Sequence, residues 1–104
     1  MIVEERNYTL KPECLEDYLN VYEKEGMPIQ MSVLPRMLGY FVTEIGELNV
    51  IVHMWGYDDL QQRTQKRAEL RAAPGWAEYL KVTKPMLLKQ QTRILLPMPW
   101  SPIR

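Results

Sequence analysis

Residues 50–57, Val-Ile-Val-His-Met-Trp-Gly-Tyr, constrain the fold more than any other stretch of the chain. The run holds no formal charge and is rich in β-branched and aromatic side chains, so it reads as a strand. Alternation divides it into two files. Val50, Val52, Met54 and Gly56 form one, and Ile51, His53, Trp55 and Tyr57 form the other. The first is small and aliphatic and suits packing under helices. The second carries two large aromatics, too much apolar surface to leave in water. The expectation is that helices cover the aliphatic file, while the aromatic file lies on the open face of the sheet against a second copy of the chain.

The remaining elements assemble around this strand. Residues 2–10 alternate and stop at Lys11 and Pro12, which predicts a first strand. Residues 13–25 place Leu15, Tyr18, Leu19 and Tyr22 on one helical face, and Gly26 and Pro28 interrupt the pattern. A second helical stretch through Ile29, Val33 and Leu34 ends before Pro35. Residues 38–45 and 49–57 read as a hairpin around Gly46, Glu47 and Leu48. Asp58 or Asp59 caps a helix running to about residue 73. Pro74 and Gly75 punctuate it, and residues 76–83 present Trp76, Tyr79 and Leu80 on one face. Residues 92–96 predict a last strand, and residues 97–104 a Pro-rich, extended tail.

The order is β, α, β, β, α, β. Right-handed crossovers of two such units place both helical layers on one face of a four-stranded antiparallel sheet. That is an α+β, ferredoxin-like plan. At 104 residues the chain is the size of a single domain, 1–104. Thirteen basic and thirteen acidic residues cancel, so charge gives no reason to expect nucleic acid or an anionic membrane as partner. No stretch has the length and apolarity of a membrane span. The opening residues carry two acids where a signal peptide is basic, and a lone Cys14 suits a reducing compartment, so a cytoplasmic location is expected.

With these elements placed, the chain resembles the NIPSNAP family, within the larger group of dimeric α/β-barrel proteins. The likeness rests on Glu4, Arg6, Tyr8, Thr9, Leu10, Lys11 and Pro12 in the first strand and turn. It continues through Gly39, Tyr40, Phe41, Glu44 and Gly46, then His53, Trp55, Tyr57 and Asp58. Pro74, Trp76 and Tyr79, then Arg93, Ile94 and Leu95, with Pro97 and Pro99, complete it. Two departures stand out: Glu13 follows Lys11-Pro12 where the family often has Gly, and Glu5 stands where an apolar residue is common. The resemblance implies a homodimeric barrel. Related barrel families include cofactor-free monooxygenases, isomerases and haem-dependent enzymes, an analogy of fold alone.

Candidate site residues follow from the strand files. His53, the only histidine, suits proton transfer near neutrality or a ligand contact, and equally a satisfied structural role. Glu4, Arg6 and Tyr8 share a file on the first strand, where an acid and a base two residues apart can pair or clamp a carboxylate or enolate. Catalysis, if present, is assigned to His53, Arg6 and Tyr8, and ligand binding to Glu4, Trp55 and Tyr57. Arg63, Arg67 and Arg71 repeat every four residues, a stripe read here as a solvated helix face rather than an anion site. Cys14 reads as a packed thiol. No spacing of metal ligands, no Gly-rich phosphate loop and no nucleophile motif occurs, so neither metal nor cofactor is expected.

Three functional readings follow. The leading one is a homodimeric barrel that binds a small apolar molecule, in a cavity between sheet and helices or at the dimer seam. The second is a cofactor-independent monooxygenase or isomerase acting on a small apolar substrate. The third is a non-catalytic structural dimer.

Overall fold

The computed structural model describes all 104 residues as a slab 40 × 36 × 19 Å across, thick enough for one sheet and one helical layer. Strand β1 spans Ile2–Leu10, and a 3-10 turn at Pro12–Cys14 leads into α1, Leu15–Val21. A π-helical turn, Tyr22–Gly26, carries the chain into α2, Met27–Val33. Strands β2, Arg36–Val42, and β3, Val50–Tyr57, follow, then α3, Leu60–Ala72, α4, Trp76–Thr83, and β4, Leu87–Leu95. The sheet order is β2-β3-β1-β4 and every pairing is antiparallel. This is the expected ferredoxin-like α+β fold, with the helices on one face.

Which face they cover reverses the expectation. Ile51, Trp55 and Tyr57 are fully buried and join one core with Tyr18, Tyr22, Leu70, Trp76 and Tyr79 from the helices. The aromatic file therefore lies under the helices, and the open face carries the aliphatic file with Val3, Glu5 and Asn7 of β1. Alternation sorts side chains into files but is silent on which file points where. The helical layer presents bulky rings itself, and their size holds the layers far enough apart to admit Trp55 and Tyr57.

Three element boundaries also differ. The loop between β2 and β3 runs over residues 43–49 and is longer than a tight hairpin, with Gly46 and Asn49 at positive φ. Ile45, 92% exposed at its tip, has no sheet to pack against. Strand β4 begins at Leu87 because its polar stretch Lys89-Gln90-Gln91 pairs along central β1, a register that local composition does not encode. Between α1 and α2 the helix is not broken at Gly26 but widened. A π turn inserts one residue and shifts the following face, and this widened turn accommodates Pro28, which has no N–H to donate to the turn before it.

Gly26 is required by packing. A Cβ there would stand 2.5 Å from Tyr79 Cζ, so the ring of α4 lies flat on the bare backbone of the π turn. Gly75, at φ 89°, turns the chain between α3 and α4 in a conformation that side chains disfavour. Asp59 caps α3 by accepting from Gln62 N at 2.7 Å. The tail, residues 97–104, folds back over the open face around Val3 and Met54. No helix is long and apolar enough to cross a membrane.

Because the Tyr79 ring is buried and cannot swing aside, Gly26→Ala is expected to destabilise the protein by about 1–3 kcal/mol, the usual cost of overpacking. Urea unfolding measures it. An unchanged midpoint would show that α4 does not rest on this turn.

Candidate functional site

Between the helix-covered face of the sheet and the helices lies a cavity of about 220 Å³. The sheet supplies its floor. Arg6 and Tyr8 come from β1, Tyr40 from β2 and His53 from β3, with Arg6 paired to His53 and Tyr40 to His53 across neighbouring strands. Three helices supply the walls: Tyr18 from α1, Arg67 and Arg71 from α3, and Trp76, Tyr79 and Thr83 from α4. Gln30 of α2, held by a hydrogen bond from the Tyr22 hydroxyl, completes one side.

His53 is 2% exposed and fixed from three directions. Trp55 Nε1 donates to its Nδ1 at 2.8 Å, so the neutral ring carries its proton on Nε2. Tyr8 meets it edge-on with centroids 4.8 Å apart, and Tyr40 lies over it at 5.0 Å. Burial, reinforced by the charges of Arg6 and Arg67, lowers its pKa to about 3. At neutral pH His53 is therefore an uncharged imidazole that offers an N–H from Nε2.

A buried ion cluster lies beside it. Glu4 has no exposed surface, and its Oε2 accepts from both Arg63 and Arg6, the latter at 3.4 Å. Its Oε1 accepts from Tyr57 Oη at 3.4 Å. Arg6 also donates from Nε to Tyr8 Oη at 2.8 Å. Burial and the nearby charge of Arg6 push the pKa of Arg67 down, and burial raises those of Tyr40 and Tyr79, the latter to about 12. These hydroxyls are protonated at neutral pH and available as donors.

Four buried side-chain polar atoms form no hydrogen bond within the chain: Tyr40 Oη, His53 Nε2, Arg67 Nη1 and Tyr79 Oη. All four belong to residues lining this one cavity. Leaving such a group unpaired costs roughly 1–3 kcal/mol, and native folds tolerate few.

Of the six residues proposed from sequence, Arg6, Tyr8 and His53 line the cavity together. Glu4, Trp55 and Tyr57 do not. They stand behind it, where Trp55 orients His53, Glu4 holds Arg6 and Arg63, and Tyr57 donates to Glu4. The arginine stripe is corrected in part: Arg63 pairs with Glu4 and Arg67 is half-buried in the cavity wall, while Arg71 reaches the cavity rim and stays exposed. Apart from its leucines and alanines the helix is polar, so its own sequence gives little sign of which arginines face inward. Tyr40 was legible only as part of a strand, and nothing local marks its hydroxyl as unpaired.

The depressed pKa of His53 has a consequence for stability. The unfolded chain takes up this proton near pH 6.5 and the folded chain only near pH 3. The contribution is complete above pH 6.5 and is lost as pH falls from 6.5 towards 3. Between pH 7.5 and 5 wild type should lose about 2 kcal/mol that His53→Gln, which has no titrating ring, does not. Urea titrations of both proteins over that interval decide it, and equal slopes would contradict a buried neutral imidazole.

Comparison with known proteins agrees with this architecture. The NIPSNAP family model matches residues 3–102. Protein NipSnap homolog 1 of Danio rerio is 33% identical over 99% of this chain and 36% of its own length. Human Protein NipSnap homolog 2 is 30% identical over 99% of this chain and 35% of its own length. The chain thus spans about a third of these relatives. Among solved structures, a NIPSNAP family protein of Agrobacterium tumefaciens superposes with a TM-score of 0.97 at 38% identity, covering 99% of this chain and 98% of that one. A NIPSNAP-like domain protein of Burkholderia xenovorans is 49% identical with a TM-score of 0.93, covering 97% of this chain and 88% of that one. An antibiotic biosynthesis monooxygenase, covered in full by 95% of this chain, shares the fold alone, at 13% identity and a TM-score of 0.66. With its sheet order, its helical layer and nearly its whole length matched, the chain belongs to the NIPSNAP family.

Proposed function

We propose that this chain is a homodimeric small-molecule-binding protein whose ligand occupies the cavity between sheet and helices. One observation carries the reading: four unpartnered buried polar atoms converge on one cavity. A folded core seldom concentrates such groups without a partner for them, whereas binding sites are built this way, with apolar walls and a few convergent polar groups. The aromatic walls suit the apolar ligand body expected from sequence, but the lining adds a requirement for polar groups on the ligand. About 220 Å³ admits a small organic molecule only.

A catalytic reading of the same site has one observation in its favour, the unpartnered Nε2 of His53. With a pKa near 3, His53 is too weak a base to abstract a proton at neutral pH. Its role in any such reaction would be to donate a hydrogen bond to developing negative charge, as a fixed neutral imidazole can. Binding needs only that donor, and we favour it.

The second copy belongs on the open face. Val3, Met54, Leu95 and the tail residues Met98 and Trp100 surround an apolar groove there, and Phe41 and Trp100 are 53% and 79% exposed. Exposed rings beside an aliphatic sheet face that the tail covers only in part are the composition of an interface. Beyond them lies a polar strip, with Arg93 Nη2 donating to Glu5 Oε1 at 2.6 Å, which suits a register-setting rim.

Native mass spectrometry of the purified protein reads both claims at once. The expected assembly is about 25 kDa, twice the chain mass of 12.3 kDa, plus the mass of two bound ligands. Denaturation should return the bare chain and release the ligand for identification. A folded monomer at micromolar concentration would contradict the dimer. A bare assembly that no small molecule stabilises in a thermal-shift screen would contradict the site.

A further inference from the structure

We propose that the cavity takes a small organic carboxylate, anchored by Arg67 with His53 Nε2 and Tyr40 Oη as its further donors. The inference rests on the binding reading above and assigns the class of ligand. Its basis is the balance of charge and of donors around the cavity.

Glu4 is the only carboxylate in the buried ion cluster, and it is already engaged. Arg63 and Arg6 hold its Oε2 and Tyr57 its Oε1. Arg6 divides its remaining capacity with Tyr8. Arg67 is the one left over. It makes no ion pair or hydrogen bond within the chain, although its Nη1 is buried. A guanidinium is not deprotonated in a protein, so a positive charge stands half-buried with only the field of Glu4, which two other arginines already pair, to balance it. Glu25, the other acid acting on the site, is exposed and bears on Tyr79.

The donors point to the same chemistry. Arg67 Nη1 and His53 Nε2–H can only donate, and the Tyr40 hydroxyl is protonated and free to donate. A ligand that satisfies all three must be rich in acceptors, and one negative charge matches the one unpaired guanidinium. A carboxylate offers two oxygens with about four acceptor positions to a planar fork. Phosphate would bring a second charge, and Arg71, the further arginine at the rim, is exposed, where solvent weakens its pull. The rest of the wall includes Tyr18, Trp76 and Leu87 beside the polar Gln30, Thr83 and Gln90, so the body behind the carboxylate should be compact and largely apolar.

The test uses the intact wild-type protein and matched pairs of probes: benzoate against benzamide, and cinnamate against cinnamamide, with inorganic phosphate as a separate arm. Isothermal titration gives affinity, and the His53 Nε2–H resonance reports whether the probe reaches the cavity. Carboxylates should bind at least about tenfold more tightly than their amides and shift that resonance. Arg67→Met should abolish the preference, and Arg67→Lys should retain part of it. Neither variant breaks an intramolecular pair, and thermal unfolding without ligand checks that both stay folded. Equal binding of acids and amides, unaffected by Arg67, would overturn the carboxylate while leaving the binding cavity in place. Phosphate outcompeting benzoate would overturn it likewise. Failure of every probe to move the His53 resonance would remove the cavity as a site and the carboxylate with it.

Discussion

Glu4 is a fully buried carboxylate at the centre of the sheet, and much of the fold is organised around satisfying it. A buried charge is tolerated only with partners close by, and here they come from α3 and from the strand itself. Arg63 reaches across the layer boundary and ties α3 to β1, residues 59 positions apart in the chain. Once Arg63 is committed to Glu4, the next turn of the same helix face must also look inward. That is why Arg67, four residues on, arrives at the cavity as a charge without a partner.

The same contact spans the two layers alongside the rings that hold them apart. Arginine side chains and Trp55 are long, and a layer separation that accommodates them leaves room that tyrosine rings only partly fill. Tyr22 stacks on Tyr40 at 4.7 Å, Trp76 lies 5.0 Å from Tyr79, and Tyr79 rests on the bare backbone at Gly26. Rings of this kind pack well along their faces and leave polar tips where they end. The cavity lies where those tips meet the sheet floor. The π turn contributes as well: its first and last residues, Tyr22 and Gly26, are both buried on the inner side, and Gly26 leaves the backbone bare for Tyr79.

Much of this was legible in the sequence. Alternation placed Glu4, Arg6 and Tyr8 in one file and His53, Trp55 and Tyr57 in another, and the sheet brings those files side by side. The helical faces carrying Tyr18, Tyr22, Trp76 and Tyr79 were equally plain from their spacing. What periodicity of two cannot supply is direction, so the aromatic file was expected on the open face and lies under the helices. Position within a file does not separate lining from support either: His53 and Trp55 are two residues apart, yet one faces the cavity and the other holds it in place. Arg67 was hidden for a different reason. Its helix is polar apart from its leucines and alanines, and the burial of Leu70 together with the pairing of Arg63 to Glu4 fixes which side turns inward.

The central claim is that the space between the layers is a ligand site and not a flaw in core packing. A crystal structure of the protein as purified, at a resolution that separates bound organic molecules from water, tests it most directly. The account predicts a discrete ligand within hydrogen-bond distance of Arg67 Nη1, His53 Nε2 and Tyr40 Oη, with the surrounding rings in the positions described. Rings closed over the cavity, with those three atoms paired to one another or to the backbone, would contradict it.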